Sequence, residues 1–586
     1  MSKKSKAIDF FEKVESDISS MRWELQRAEQ FGQAMKIYRE EGNLTKVTEM
    51  EWDSILYKLR YLQNQDERKK TNSRFAEMIK YKNGSVFPDM STFNEDQIEY
   101  YKNRANKTLN PIHKARYNEI VWELRKEYKF AQNAIYAYLE CIPIYYDNNW
   151  EMELADSIVR AVELSLILND QNALETVRKE LVKRIIILSD NEKFRWCLDL
   201  IDGILKIKRF LKENELETCV TIAKSAVSFY KKVRDGYHLQ RSFLEKLVTL
   251  ANELKKPDEA LKYLEDIAES YVAEADWKLT NYPSGNMVAA YFYELAARMY
   301  RDLGLLNKSN FFIKKVKEHT KESEKEMKEI KVEFVIPNEP IKKYIQSLNP
   351  LNLNEALDKI STETSFLPNL AKIRSEIEQQ KGKLIGLVIP RVSIRNGNPS
   401  LRSQTYEEIF EDHVISNFSM DYKMRKIVIG QIFEELIKAK KLDEKSFLSY
   451  LLSSKIYDSN SKKLMEIGFE RYFSGDYISC LHILTPQLER TFRNILDKLD
   501  LPTTSIRGNS IEEKTLGNIL EEPKIIELLG EDISTYTSTL LVDKRGDNLR
   551  NDIAHGLISE KACNIGTANN ILHLFLLLSK IKLDKK

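Results

Sequence analysis

Glycine and proline are scarce, 19 and 14 among 586 residues, which excludes a collagen-like, low-complexity or loop-dominated chain. The five cysteines, Cys141, Cys197, Cys219, Cys480 and Cys563, stand far apart with no C-x-x-C pair. That spacing argues against a disulfide framework and a thiolate zinc site, and it fits reduced thiols in the cytosol. Neither sign of charge dominates: 91 Lys and Arg balance 89 Asp and Glu, for a net charge of +2. The general basicity that drives non-specific nucleic-acid binding is therefore missing, and any such contact has to be local. No uncharged run reaches the roughly 20 residues of a membrane span. The most apolar stretch, Ile571 to Leu578, is less than half that length and reads as a buried terminal helix. Met1 to Asp9 is polar and lysine-rich and leads into a charged helix, without the apolar core of a signal peptide. Phosphate-binding G-x-x-x-x-G-K-[ST], dinucleotide G-x-G-x-x-G and nucleophile-elbow G-x-S-x-G strings are absent, so an ATPase, a dinucleotide enzyme or an α/β-hydrolase is not expected. No carboxylate and histidine cluster has ligand spacing, and neither a metal nor another cofactor is expected.

What remains is 42% apolar and 31% charged residues, the make-up of a charge-rich globular chain long enough for several cores. Apolar residues return at three- and four-residue spacing from about residue 7 to 330, broken by short polar turns. Phe243 to Leu254 reads as one helix; Lys255-Lys256-Pro257-Asp258 breaks it, and Ala260 to Ala273 reads as the next, because proline suits a first turn and not an interior. Met287 to Leu303, a stop at Gly304 and Ser309 to Lys317 repeat the plan. Ala289, Ala290, Ala296 and Ala297 interleave with Tyr291, Tyr293, Met299 and Tyr300, small residues letting helices approach while aromatics fill the grooves. The pattern resembles a tetratricopeptide-like solenoid without a strict 34-residue period, with core packing favoured over a concave ligand groove for the aromatic stripe.

The expected fold is all-α: an irregular helical-repeat region over 1–330, a connecting module over 331–404, a helical linker over 405–454 and a helical bundle over 455–586. In the connecting module Val332 to Pro337 is β-like, and Leu384 to Pro390 is an apolar run before Arg391-Val392-Ser393-Ile394-Arg395-Asn396-Gly397, whose Asn-Gly pair signals a small hairpin. In the bundle the expected helices are Ser461 to Phe473, Tyr477 to Leu499, Leu516 to Leu529 with a break at Pro523, Ile533 to Leu541, Leu549 to Leu557 and Gly566 to Leu583.

The chemistry centres on Arg550 and His555, since His555 alone among the seven histidines has an arginine five to seven residues upstream. Gly546-Asp547-Asn548 is a turn with polar residues suited to cap a helix, which puts Arg550 in the first turn and His555 about one and a half turns on. A neutral imidazole is suited to take the proton from a ribose 2′-hydroxyl so that this oxygen attacks the adjacent phosphate. A guanidinium offers a fork of donors to the phosphorane oxygens, a helix N-terminus adds positive potential, and the Asn551 amide can orient phosphate or imidazole. The competing reading is a helix-start arginine beside a packed or solvated histidine. Lys544, Arg545 and Asn548, just ahead of the motif, are candidate contacts to an RNA backbone, or solvated loop residues.

The string Gly546-Asp547-Asn548-Leu549-Arg550-Asn551-Asp552-Ile553-Ala554-His555-Gly556-Leu557 resembles the signature of HEPN-superfamily ribonucleases, in which an Arg and a His four to six residues apart open a helix of a small bundle. The likeness extends upstream through Tyr472 to His482 and Pro486-Gln487-Leu488-Glu489-Arg490, covering about 130 residues well and the solenoid only loosely. It implies a homodimer whose facing motifs form one cleft, metal-independent cleavage of RNA such as tRNA, and a role as a toxin or anti-phage effector, with the solenoid sensing a ligand or protein trigger. Many relatives keep the bundle without activity, so the alternative is a non-catalytic helical-repeat scaffold that dimerises through it. Among other features, Pro486 should kink its helix with Glu489 and Arg493 bracing the bend, and His482 and His573 read as core or edge histidines.

Overall fold

The computed structural model describes residues 6–17, 22–62, 73–81, 83–328, 337–380, 391–395, 398–508 and 510–583. They are overwhelmingly helical, with a few short antiparallel strand pairs, so the all-α expectation holds. The chain divides into two compact units, Met1–Lys315 and Val316–Lys586. Among the described residues no helix is long and apolar enough to cross a membrane.

In the first unit each helix packs on the next, and several also touch the next but one: Glu151–Leu168 meets Phe194–Lys206, which meets Tyr237–Glu253. That adjacency is what stacked helical hairpins produce. The turns follow residue chemistry. Asn169 closes one helix in the left-handed conformation and the Asp170 carboxylate caps the next, while Pro257 opens Pro257–Asn281 at its first turn and Gly304 stops Asn286–Asp302 with φ +75°. The continuous core includes Ile158, Ala161, Leu181, Ile185, Leu200, Ile201 and Leu247. Ala289, Ala290, Ala296 and Ala297 are buried together with Tyr293 and Tyr300, so these aromatics pack the core. The helical reading of 7–330 overlooked two strand pairs, Arg60–Tyr61 with Phe75–Ala76 and Ile79–Lys80 with Val86–Phe87. Two-residue ladders leave no period-two signal; the first is held by the stacked rings of Tyr61 and Phe75, 5.0 Å apart.

The second unit has one core that runs from Leu348 to Leu578, so the stretches 331–404, 405–454 and 455–586 all contribute to it. The helix Ile565–Ser579 is its centre, with every residue from Thr567 to Leu578 buried. It packs on Tyr406–Lys440, Tyr477–Lys498, Leu353–Ser361 and Glu444–Leu452, which explains why Ile571 to Leu578 is apolar all round. The 35-residue helix Tyr406–Lys440 starts at a capping box in which Thr405 and Glu408 exchange side-chain and backbone bonds. Arg391–Arg395 pairs antiparallel with Asn398–Ser403, with a register irregularity at Ser393 and Ile394, as the hairpin reading expects. Asn396-Gly397, Leu384 to Pro390 and Val332 to Ile336 lie outside the described residues. The helix Tyr477–Lys498 runs through Pro486, and Pro523 separates Leu516–Leu520 from Pro523–Leu529. A second hairpin, Thr504–Arg507 with Ser510–Glu513, was not expected in the bundle; its two exposed isoleucines, Ile506 and Ile511, give an alternation too short to stand out from its surroundings.

Candidate active site

The motif forms a helix of only six residues, Leu549–Ala554, packed between Tyr477–Lys498 and Glu531–Leu541. It is shorter than the expected Leu549 to Leu557, and its start differs too. Asn548 is left-handed, with φ +52°, and makes no side-chain cap. Its amide instead donates to Asp552 Oδ1 at 3.0 Å and its oxygen accepts from Asn551 Nδ2 at 2.8 Å. At 5% exposure the Asn548 side chain is structural, which corrects its reading as an RNA contact: a short asparagine in a left-handed turn satisfies local partners before it reaches solvent.

His555 is the residue after the helix, with φ −100°, and Gly556 follows with φ +64°. The chain therefore leaves the helix at the histidine, and its imidazole is exposed and makes no hydrogen bond among the described residues. Arg550 is held from across the bundle. Its Nε donates to Glu489 Oε2 at 2.7 Å, its Nη2 reaches Glu489 Oε1 at 3.4 Å, and its Nη1 donates to Asn551 Oδ1 at 3.2 Å. Three of the five guanidinium N–H groups are thus engaged and two stay open to an acceptor. Asn551 uses its amide N on Val542 O at 3.2 Å and on Asn548, so it fixes Arg550 and the turn.

Glu489 joins two arginines, because Arg493 Nη2 also donates to it at 3.0 Å while Arg493 Nη1 binds Glu513 at 2.6 Å. The i,i+4 brace read from sequence is present, and its larger role is to position Arg550. The approach is held by a residue that the motif gave no hint of. Arg395, from the hairpin, donates from Nη1 to Gly546 O at 2.9 Å, and from Nη2 to Asp547 O at 2.5 Å and Asp552 Oδ2 at 2.6 Å. Lys423 adds an ion pair to Asp547 at 3.1 Å. Lys544 is exposed, as a backbone contact requires, whereas Arg545 closes on Asp543 through two bonds of 2.9 and 2.6 Å. Of the other histidines, His482 is exposed with its Nδ1 at 2.8 Å from Ile478 O, and His573 is fully buried.

Comparison with known families places part of the chain. A family model described as a domain of unknown function, DUF7380, matches residues 61–177. No curated protein matches the chain. The matched stretch lies within the first unit and leaves the Arg550 to His555 motif outside it. Among the described residues there is no group of three or more His, Cys, Asp and Glu side chains arranged to hold a metal ion, and all five cysteines are unpaired. The chemistry on offer at the motif is an imidazole without a hydrogen bond among the described residues, just past the end of a short helix, and a partly engaged guanidinium in that helix, five residues before it.

Proposed function

We propose that the second unit is a metal-independent endoribonuclease of the HEPN type, acting in the cytosol as a homodimer, with the first unit carrying the trigger that releases it as a toxin or anti-phage effector. The observation that carries the reading is the exposed, unpartnered His555 imidazole, set five residues after an Arg550 that keeps two N–H groups open. His555 takes the proton of a ribose 2′-hydroxyl; the O2′–P bond forms and the P–O5′ bond breaks, and the imidazolium returns that proton to the departing 5′ oxygen, leaving a 2′,3′-cyclic phosphate and a 5′-hydroxyl. Arg550 donates to the non-bridging oxygens as their charge grows, and Asn551 and Glu489 hold its fork in place. Lys544 meets the neighbouring phosphate.

The test is incubation of the purified protein with total RNA and with tRNA in EDTA, reading fragment ends on a gel. His555→Ala and Arg550→Ala are each expected to lower the rate by about a hundredfold or more, with helical circular dichroism unchanged. Cleavage at the wild-type rate by either variant sinks the reading. The ion pair of Arg550 with Glu489 favours one competitor, a non-catalytic scaffold in which the arginine only ties two helices. Growth arrest on strong expression of the wild type, absent with His555→Ala, counts against that competitor.

A further inference from the structure

In the first unit a cavity of about 430 Å³ lies among the helices Glu24–Glu40, Pro111–Arg125, Tyr128–Asp147 and Glu151–Leu168, within the range of small-ligand sites. Its walls are of two kinds. Trp23, Ile112, Tyr145 and Met152 form an aromatic and apolar part, while Arg22, Arg27, Arg60 and Arg116 bring positive charge. Among the described residues the carboxylates lining the cavity are Glu24, Glu153 and Asp156, and each meets an arginine. Glu153 accepts from Arg22 at 2.9 and 3.0 Å, Glu24 pairs with Arg116, and Asp156 pairs with Arg74 just behind the wall. Among the described residues that line the cavity, four arginines stand with three carboxylates, and the exposed Arg60 is held only by its Nε on Glu77 O at 2.9 Å.

Several donors there lack an acceptor among the described residues, the Arg74 Nε behind the wall being one. Arg116, 2% exposed, has its Nε unpartnered, and the buried Ser157 hydroxyl in the wall makes no hydrogen bond among the described residues. Guanidinium forks and unmet donors gathered at one cavity are groups that an anion satisfies. A phosphate alone leaves most of the volume and the aromatic residues unused, whereas a wholly apolar molecule leaves the arginine donors unused.

We propose that this cavity binds a nucleoside monophosphate, its base against Trp23, Tyr145 and Met152 and its phosphate dianion on the arginines. Guanidiniums match phosphate geometry and aromatic faces accept any base. The inference stands on the first unit alone and does not depend on the ribonuclease reading.

The experiment is calorimetric titration of the full-length protein with AMP, and with adenosine and inorganic phosphate as its separated halves. AMP is expected to bind at least about tenfold more tightly than either half, because one site engages both. Arg60→Glu, at an exposed position, and Trp23→Ala, at a ring 50% exposed, should each weaken AMP binding by about tenfold while circular dichroism stays unchanged. His555→Ala should bind AMP as the wild type does, which separates this result from that of the cleavage assay. Absence of binding by AMP, GMP, CMP and UMP overturns the proposal, as does AMP binding that neither Arg60→Glu nor Trp23→Ala alters.

Discussion

At the residue scale the second unit sets an exposed histidine against a buried one. Among the described residues His573 has no hydrogen-bond partner for either ring nitrogen, and it meets the rings of Phe366 and Tyr536 edge to face at centroid distances of 6.2 and 6.0 Å. Burial pushes its pKa down to about 3, because a charged imidazole there loses its hydration and gains nothing in return. Below its ordinary value near 6.5 the unfolded chain takes up a proton that the folded chain refuses. Stability therefore falls as pH drops from about 6.5 toward 3. Denaturant melts of His573→Leu should lose this slope, so that between neutral pH and about 4.5 the wild type loses about 2 to 3 kcal/mol more than the variant. Equal pH dependence of the two proteins would show that another group sets it. His555, by contrast, was legible as a candidate from its spacing to Arg550, but its exposure beyond the end of a six-residue helix was not.

At the scale of elements, the motif helix is positioned by what precedes it. The loop 543–548 lies on the helix Glu531–Leu541, with Asp547 N donating to Thr539 O at 3.0 Å. Gly546 sits so close to that helix that a Cβ there would collide with the carbonyl oxygen of Thr539. Gly546→Ala must push loop and helix apart, which should cost about 1 to 3 kcal/mol of stability and displace Arg550 from Glu489. A melt together with the EDTA cleavage assay checks this, and an alanine variant as stable and active as the wild type contradicts it. The sequence announces Gly546 only as a turn residue, because the close approach is made to a helix formed several residues earlier. Arg395 is further hidden, since its acceptors Gly546 O, Asp547 O and Asp552 Oδ2 lie more than 150 positions away along the chain and Lys544 O lies 149 away. No local pattern records such a partner.

At the scale of the whole molecule, each unit carries a core of its own, and the second core closes around one helix, Ile565–Ser579. A fragment from Asn338 to the C-terminus is therefore expected to fold alone, with a helical circular dichroism spectrum and a single cooperative thermal transition. A broad, non-cooperative melt would show that its core is incomplete. The helices themselves, their proline and glycine stops, the burial of Ile571 to Leu578 and the hairpin after Arg391 followed from the sequence. All rest on local chemistry: apolar period, φ restriction, capping side chains. The two-residue strand pairs near Tyr61, the early end of the motif helix at Ala554, the burial of Asn548 and the hold of Glu489 and Arg395 on the motif were decided by tertiary structure. So was the arginine-walled cavity, because its charges come from distant helices and their balance exists only once those helices pack.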